Sequence, residues 1–205
     1  QSWSAIVQNQ HKRAEVEKLY SQISDRPAAY KPVVRHQPTF EPARIQIDNL
    51  AFDASNDRKI FSGVTADITA GKLVGIKGPD GSGRSVLLRC VMGEIEPTAG
   101  QVYINGVPAH KSDLNISYVG QVPQLFQGTI LDNLTLFGTY TTDHARWVAD
   151  LTGLSGEIDR LPNGFDTQLH GSSSPELSAA FSQLICIARA VVSKPSVLLL
   201  DASNS

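Results

Sequence analysis

Gly78-Pro79-Asp80-Gly81-Ser82-Gly83-Arg84-Ser85 is the segment whose residue types and spacing could do chemistry. It follows a short apolar run, Leu73-Val74-Gly75-Ile76, and opens a helical pattern through Val86, Leu87, Leu88, Cys90, Val91 and Met92, closed by Gly93. It fits G-x-x-x-x-G-K-[ST] at every position except Arg84, where a lysine is expected. Glycines at 78, 81 and 83 let backbone N–H groups converge on phosphate oxygens. The helix start turns its positive dipole end toward the same place. Ser85 is placed to ligate Mg²⁺. A glycine-rich turn with no ligand is the plainer reading of the same residues. Arginine keeps the charge of lysine but replaces a compact ammonium with a longer, planar fork. The expectation is therefore phosphate binding that is weakened.

The second chemical element is Val197-Leu198-Leu199-Leu200-Asp201, which reads as a buried strand with a carboxylate at its C-terminal end. Such a carboxylate can hold a Mg²⁺-bound water. Many buried strands end in Asp, so the signal gains weight only from its place about 120 residues beyond the glycine-rich loop.

Several elements must position these groups. Ile45 and Ile47 alternate, as do Val64, Ala66 and Ile68, which predicts half-buried antiparallel strands. Leu73–Ile76 reads as a fully buried strand. Further strands are expected at 101–105 and 116–120, and helices near 129–137 and 142–152. The clearest helix is 178–193, where Phe181, Leu184, Ile185, Ala188, Val191 and Val192 fall on one face. Strands alternating with helices, with polar residues at strand tips, predict an α/β domain whose ligand site lies at the carboxyl edge of the sheet. Residues 1–24 carry apolar positions at helical spacing, and 25–43 hold four prolines with little periodicity, which is linker composition. A boundary near residue 43 follows, with 1–43 as helix and linker and 44–205 as the α/β domain.

Composition narrows the function classes. The 205 residues are 41% hydrophobic, enough for a substantial core without staples. Lys and Arg total 18 against 20 Asp and Glu, a net charge of −2 that argues against coating nucleic-acid backbones. Cys90 and Cys186 stand in apolar helical patterns and outside any C-x-x-C, so buried reduced thiols are expected. No run of 18 apolar residues is present. The start at Gln1 and the stop at Ser205, directly after an apolar strand, are expected to be cut ends of a longer chain.

From about residue 44 to 205 the sequence resembles the nucleotide-binding domain of an ABC transporter of the exporter type. The resemblance rests on ordered segments. Leu87-Leu88-Arg89 through Gly93 and Glu96-Pro97-Thr98-Ala99-Gly100 look like the stretch after the P-loop. Ile116-Ser117-Tyr118-Val119-Gly120-Gln121 looks like the Q-loop strand, and Leu125-Phe126-Gln127-Gly128-Thr129-Ile130 with Asp132-Asn133 looks like the exporter segment that follows. Leu161-Pro162-Asn163-Gly164-Phe165-Asp166-Thr167 resembles the approach to the signature motif. Leu177-Ser178 and Gln183-Leu184-Ile185-Cys186-Ile187-Ala188-Arg189-Ala190 stand where the signature and its helix belong. The ending Asp201-Ala202-Ser203-Asn204-Ser205 looks closest to type I protein secretion exporters.

The resemblance implies a P-loop NTPase (RecA-like) core with an antiparallel β subdomain and an α-helical subdomain. It implies ATP and Mg²⁺ as cofactors, bound through Gly78–Val86, Gln121 and Asp201, with Ser85, Gln121 and Asp201 toward the metal. It implies a transmembrane domain of the same polypeptide led into by residues 1–24, and a second nucleotide-binding domain as homo- or heterodimer partner. The implied location is the cytoplasmic face of the inner (cell) membrane.

Departures from the family pattern bear on activity. Ala202 stands at the general-base position and can neither polarise water nor accept a proton. Leu177-Ser178-Ala179-Ala180-Phe181 replaces Leu-Ser-Gly-Gly-Gln. Two glycines gain methyl groups, and an amide becomes an apolar ring. The adenine-stacking aromatic should lie near Ala54, with Phe52 as a neighbour. In the family each site joins one subunit's P-loop to the other's signature, so a homodimer would be damaged on both sides of each site. Each lost contribution costs about 10²–10³ in rate. The expectation is a degenerate domain with weak ATP binding and weak or absent hydrolysis. Two alternatives stay open: an active transport ATPase using Arg84 in place of lysine, and a non-transport interaction module that has kept only the fold.

Overall fold

The computed structural model describes residues 42–54, 58–171 and 177–201. The expected N-terminal helix, nearly all of the Pro-rich linker, and Ala202 through Ser205 lie outside the described residues.

Ile45 and Ile47 begin the central strand of an antiparallel sheet, β1 (Ile45–Ala54). It pairs with β2 (Arg58–Ile68) on one side and with β3 (Ala99–Ile104) on the other. A short β4 (Val107–Pro108) completes the order β2-β1-β3-β4. Register places Ile45 opposite Ile68 and Ile104, and Ile47 opposite Ala66 and Val102, so one face of the sheet is apolar. The period breaks at Asn49, whose φ of 44° marks a bulge, and Leu50 returns to the interior. Gly100 faces that bulge. A Cβ there would lie 2.4 Å from the carbonyl oxygens of Asp48 and Asn49, so only glycine lets β3 pass.

Helix α1 (Arg84–Val91) covers the apolar face. Leu88, Cys90 and Val91 join Ile45, Ile47, Leu50, Val102 and Ile104 in one core, which also takes in Val197 and Leu199. Those two belong to a parallel pair, β5 (Ile116–Val119) and β8 (Val197–Leu200), in register Ile116 to Val197 through Val119 to Leu200. A parallel pair needs a long crossover. Here the crossover is the helical part of the chain.

That part has its own core. The ladder of β6 (Gln127–Thr129) with β7 (Gln168–His170) leads into α2 (Ile130–Thr135), which is closed at its start by a Thr129–Asp132 capping box. Next come α3 (Thr142–Leu151) and the single turn α4 (Ser155–Ile158). The long α5 (Ala179–Val192) packs against α2 and α3 through Phe181, Ile185, Ala188 and Val192. His144 on α3 sits 3.0 Å from the Val192 carbonyl and ties α3 to the end of α5. Both cysteines are buried and free, as their patterns predict.

Two expectations are corrected. Residues 72–79 form no strand, and Leu73, Val74 and Ile76 are exposed, Leu73 fully so. An apolar run of four residues is too short to specify its own pairing, and no ladder partner adjoins it among the described strands. The run 197–200 does form a strand, but only Val197 and Leu199 are buried while Leu198 and Leu200 face outward. Its second face carries no covering layer among the described elements. Among the described residues, no helix is long and apolar enough to cross a membrane.

Candidate functional site

The parallel register of β5 and β8 decides what meets at their carboxyl ends. The Asp201 N–H donates to the Val119 carbonyl at 2.8 Å, which brings the residue after β8 level with the loop after β5. Gln121 follows in that loop. Its amide nitrogen donates to Asp201 Oδ1 at 3.1 Å and to Ser85 Oγ at 3.2 Å. Ser85, Gln121 and Asp201, which are 36 and 80 positions apart in sequence, thus form one hydrogen-bonded cluster. Asp201 is only 5% exposed. Burial pushes its carboxyl up, but hydrogen bonds from Ser85, Gln121 and Tyr118, with the nearby Arg84 charge, outweigh it and leave the group below the usual range.

Tyr118 is the residue that sequence reasoning missed as a site residue. Its hydroxyl donates to Asp201 Oδ2 at 2.8 Å, so both carboxylate oxygens are held. Burial first, then the bond to Asp201, pushes the phenol up to about 12, so it remains a donor. Only the pairing of two strands far apart in sequence creates this contact. Gln183 on α5 adds a further tie, donating to the Gly120 carbonyl at 3.2 Å and linking the helical part to the Gln121 loop.

The glycine-rich loop lies beside this cluster. Ser82 N–H donates back to the Pro79 carbonyl at 3.1 Å, making the turn. Gly81 and Gly83 take φ of 77° and 88°. A Cβ on Gly83 would stand 2.4 Å from Ile60 and 3.0 Å from the Phe61 ring, so glycine there sets how closely the loop approaches β2. Gly83 caps α1 without a side-chain hydrogen bond, which leaves the first-turn N–H groups of the helix uncapped by any side chain. Val86 follows with its side chain against the sheet core. Phe61 also meets Phe52, ring centres 6.3 Å apart, while Ala54 offers no ring.

Arg84 does not extend away from the loop. Its guanidinium donates to the Gly78 carbonyl and, at 3.1 Å, to Asp80 Oδ1. Its side chain is 14% exposed, against 90% for Asp80.

The signature segment has a different character. Leu177 is half-buried, and Ser178, Ala179 and Ala180 are exposed. Ser178 Oγ accepts from the Phe181 N–H at 3.1 Å and caps α5. The Phe181 ring is buried in the helical core.

An ABC transporter family profile matches residues 61–204, more than half of the chain. The chain belongs to the ABC transporter family. It is 36% identical over 195 residues to the iron-sulfur clusters transporter ABCB7, mitochondrial, of Homo sapiens, covering 92% of this chain and 25% of that protein. It is 29% identical over 198 residues to antigen peptide transporter 2 of Rattus norvegicus, covering 92% of this chain and 28% of that protein. Among solved structures, that of a bacterial Atm1-family ABC exporter with ATP bound matches with a TM-score of 0.72 and 28% identity, over 80% of this chain and 30% of that one. The chain thus spans 25% and 28% of the length of these two relatives. Its antiparallel sheet, parallel pair and helical part are the nucleotide-binding domain fold of an ABC exporter.

The cluster suits Mg²⁺. One carboxylate, a hydroxyl and an amide that can turn its oxygen inward form the hard, sparse donor set of a cation shared with phosphate.

Proposed function

We propose that this chain is an exporter nucleotide-binding domain that binds ATP with Mg²⁺ weakly and hydrolyses it poorly. The observation that carries this reading is the convergence of Ser85, Gln121 and Asp201 on one point beside the glycine-rich loop. Gly78, Pro79, Asp80, Gly81, Ser82 and Gly83 would cradle phosphate with their backbone, and the uncapped start of α1 would add its dipole. Ser85, Gln121 and Asp201 would hold Mg²⁺, which supplies charge neutralisation between the terminal phosphates. Tyr118 keeps the Asp201 carboxylate oriented and ionised. Two features support weakness. Arg84 is engaged within its own loop, and Ala202 offers no base to the attacking water. Ala179 and Ala180 offer only methyl groups to a partner's nucleotide, and Phe181 turns its ring into the core where the family has a hydrogen-bonding amide.

In the same reading, residues 1–43 join the domain to a transmembrane domain of the same polypeptide at the cytoplasmic face of a membrane. A second nucleotide-binding domain completes each site. The ending Asp201-Ala202-Ser203-Asn204-Ser205 favours a protein- or peptide-secreting exporter of the type I kind.

Calorimetric titration with ATP, with and without Mg²⁺, tests this. Saturable binding in the high micromolar to millimolar range, strengthened by Mg²⁺ and abolished in Asp201→Asn only for the Mg²⁺-dependent part, is the expected result. No heat at millimolar ATP overturns it. A phosphate-release assay divides the reading from an active ATPase: turnover comparable to intact family members, lost in Asp201→Asn, would establish Arg84 as a working substitute for lysine.

A further inference from the structure

The Arg84 side chain is the cation that the loop offers to a phosphate, and it is already partnered. It begins α1 but turns back across the loop. One end of its fork reaches the carbonyl at the start of the loop, Gly78, and the other reaches the carboxylate of Asp80 at the crown. A lysine has no fork and could not span both acceptors in this way. Asp80 is largely solvated, whereas Arg84 is mostly covered, so the movable partner of the pair is the aspartate.

Resting on the ATP-binding reading above, we propose that Asp80 is an intramolecular competitor for phosphate at Arg84. A polyphosphate arriving at the loop must displace the Asp80 carboxylate and must also bear its negative charge nearby. The pair is self-neutralising, so the loop presents little net attraction to an anion until Asp80 swings away. Asp80 thereby sets the affinity and charge preference of the site without being required for the fold, since it caps nothing and contributes to no core.

The magnitudes define the test. Releasing an exposed ion pair and relieving the repulsion of one nearby unit charge each change binding by a factor of about two to three. Removing the Asp80 charge should tighten anion binding about three- to tenfold. The probes are ATP and inorganic tripolyphosphate without Mg²⁺, titrated calorimetrically into the parent protein and into Asp80→Asn, Arg84→Ala and the double variant. Asp80→Asn should tighten both probes by that factor. In the Arg84→Ala background the same change should gain only about two- to threefold, because only through-space repulsion is then relieved. Asp80→Glu, which keeps the charge, should stay near the parent affinity.

An unchanged or weaker affinity in Asp80→Asn overturns the proposal while leaving the ATP-binding reading intact. Equal gains with and without Arg84 also overturn it, since the effect would then be general electrostatics. Binding by Asp80→Asn but not by the parent upholds the competition and removes the reading that the parent binds ATP. Absence of binding in both overturns both.

Discussion

The phosphate end and the signature end of this domain are built from different physics. At the phosphate end, Arg84, Asp80, Ser85, Gln121, Tyr118 and Asp201 are joined by hydrogen bonds and charge, and the irregular segment that leads into the loop, residues 72–79, lies open. At the signature end, the exposed Ser178-Ala179-Ala180 sits on a helix anchored by an apolar ring, with Ile185, Ala188 and Val192 fully enclosed below it. The first region keeps polar groups in place for a ligand. The second keeps its shape by packing, while the small residues on its surface retain little to bind with. Under the proposed reading, the altered signature would cost contacts to a partner's nucleotide without costing the fold, whereas the loop keeps a cation whose fork is already engaged by Gly78 and Asp80.

Cutting into the signature end should have the largest effect. Phe181→Ala removes a buried ring from the helical core and should cost about 3–5 kcal/mol in urea unfolding. A loss below about 1 kcal/mol would mean that the ring is not an anchor, and the contrast would fail. Phe181→Gln, which restores the family's polar type, should also destabilise, because an amide placed in that core leaves hydrogen-bonding groups unpaired.

The phosphate end should answer to pH instead. The Asp201 carboxyl is held below its unfolded value of about 3.9, so its contribution is present above that pH. It is lost as pH falls through the folded value. The size of the loss follows from how far the folded carboxyl is held down, at about 1.4 kcal/mol per pKa unit. Unfolding measured from pH 6 downward should therefore show a falling limb below pH of about 4 that Asp201→Asn flattens. Phe181 variants should keep that limb, since the ring belongs to the helical core and Asp201 does not. If Asp201→Asn keeps the same slope, the cluster is not what titrates.

Ser178 lies between these cases, a polar group that serves a structural end. Ser178→Ala should cost about 1 kcal/mol through the lost cap on α5, and Ser178→Asp or Ser178→Thr should restore most of it. No recovery would point to a role for the hydroxyl beyond the cap.

Much of this was legible in the residues. The helix of 178–193 announced itself because apolar positions repeat on one face over about three turns, and the structure begins and ends it within one residue of that pattern. The alternation at Ile45–Ile47 and Val64–Ile68 likewise gave the antiparallel pair. Ser85 was legible in the glycine-rich motif and Asp201 at the end of an apolar strand at a motif's distance from it, whereas Gln121 was named only through the resemblance to an exporter nucleotide-binding domain. Tyr118 carried none. Its contact depends on strand pairing across 83 positions, and a tyrosine on an apolar strand reads as core. The Arg84–Asp80 pair was hidden for another reason: spacing i, i+4 places the two near each other but does not say that the guanidinium would fold onto the loop.

The smallest effect belongs to the segment where sequence reasoning failed. Leu73 looks like strand core in sequence and is fully exposed in the structure. A leucine already in water loses no burial on truncation, so Leu73→Ala should change unfolding by no more than about 0.5 kcal/mol. The same truncation at Ile185 on α5, wholly enclosed, should cost about 2–5 kcal/mol. The pair of variants turns the difference between the two regions into one number. A cost at Leu73 approaching that at Ile185 would show that residues 72–79 are packed in solution, and that the phosphate end, too, owes its stability to an apolar core.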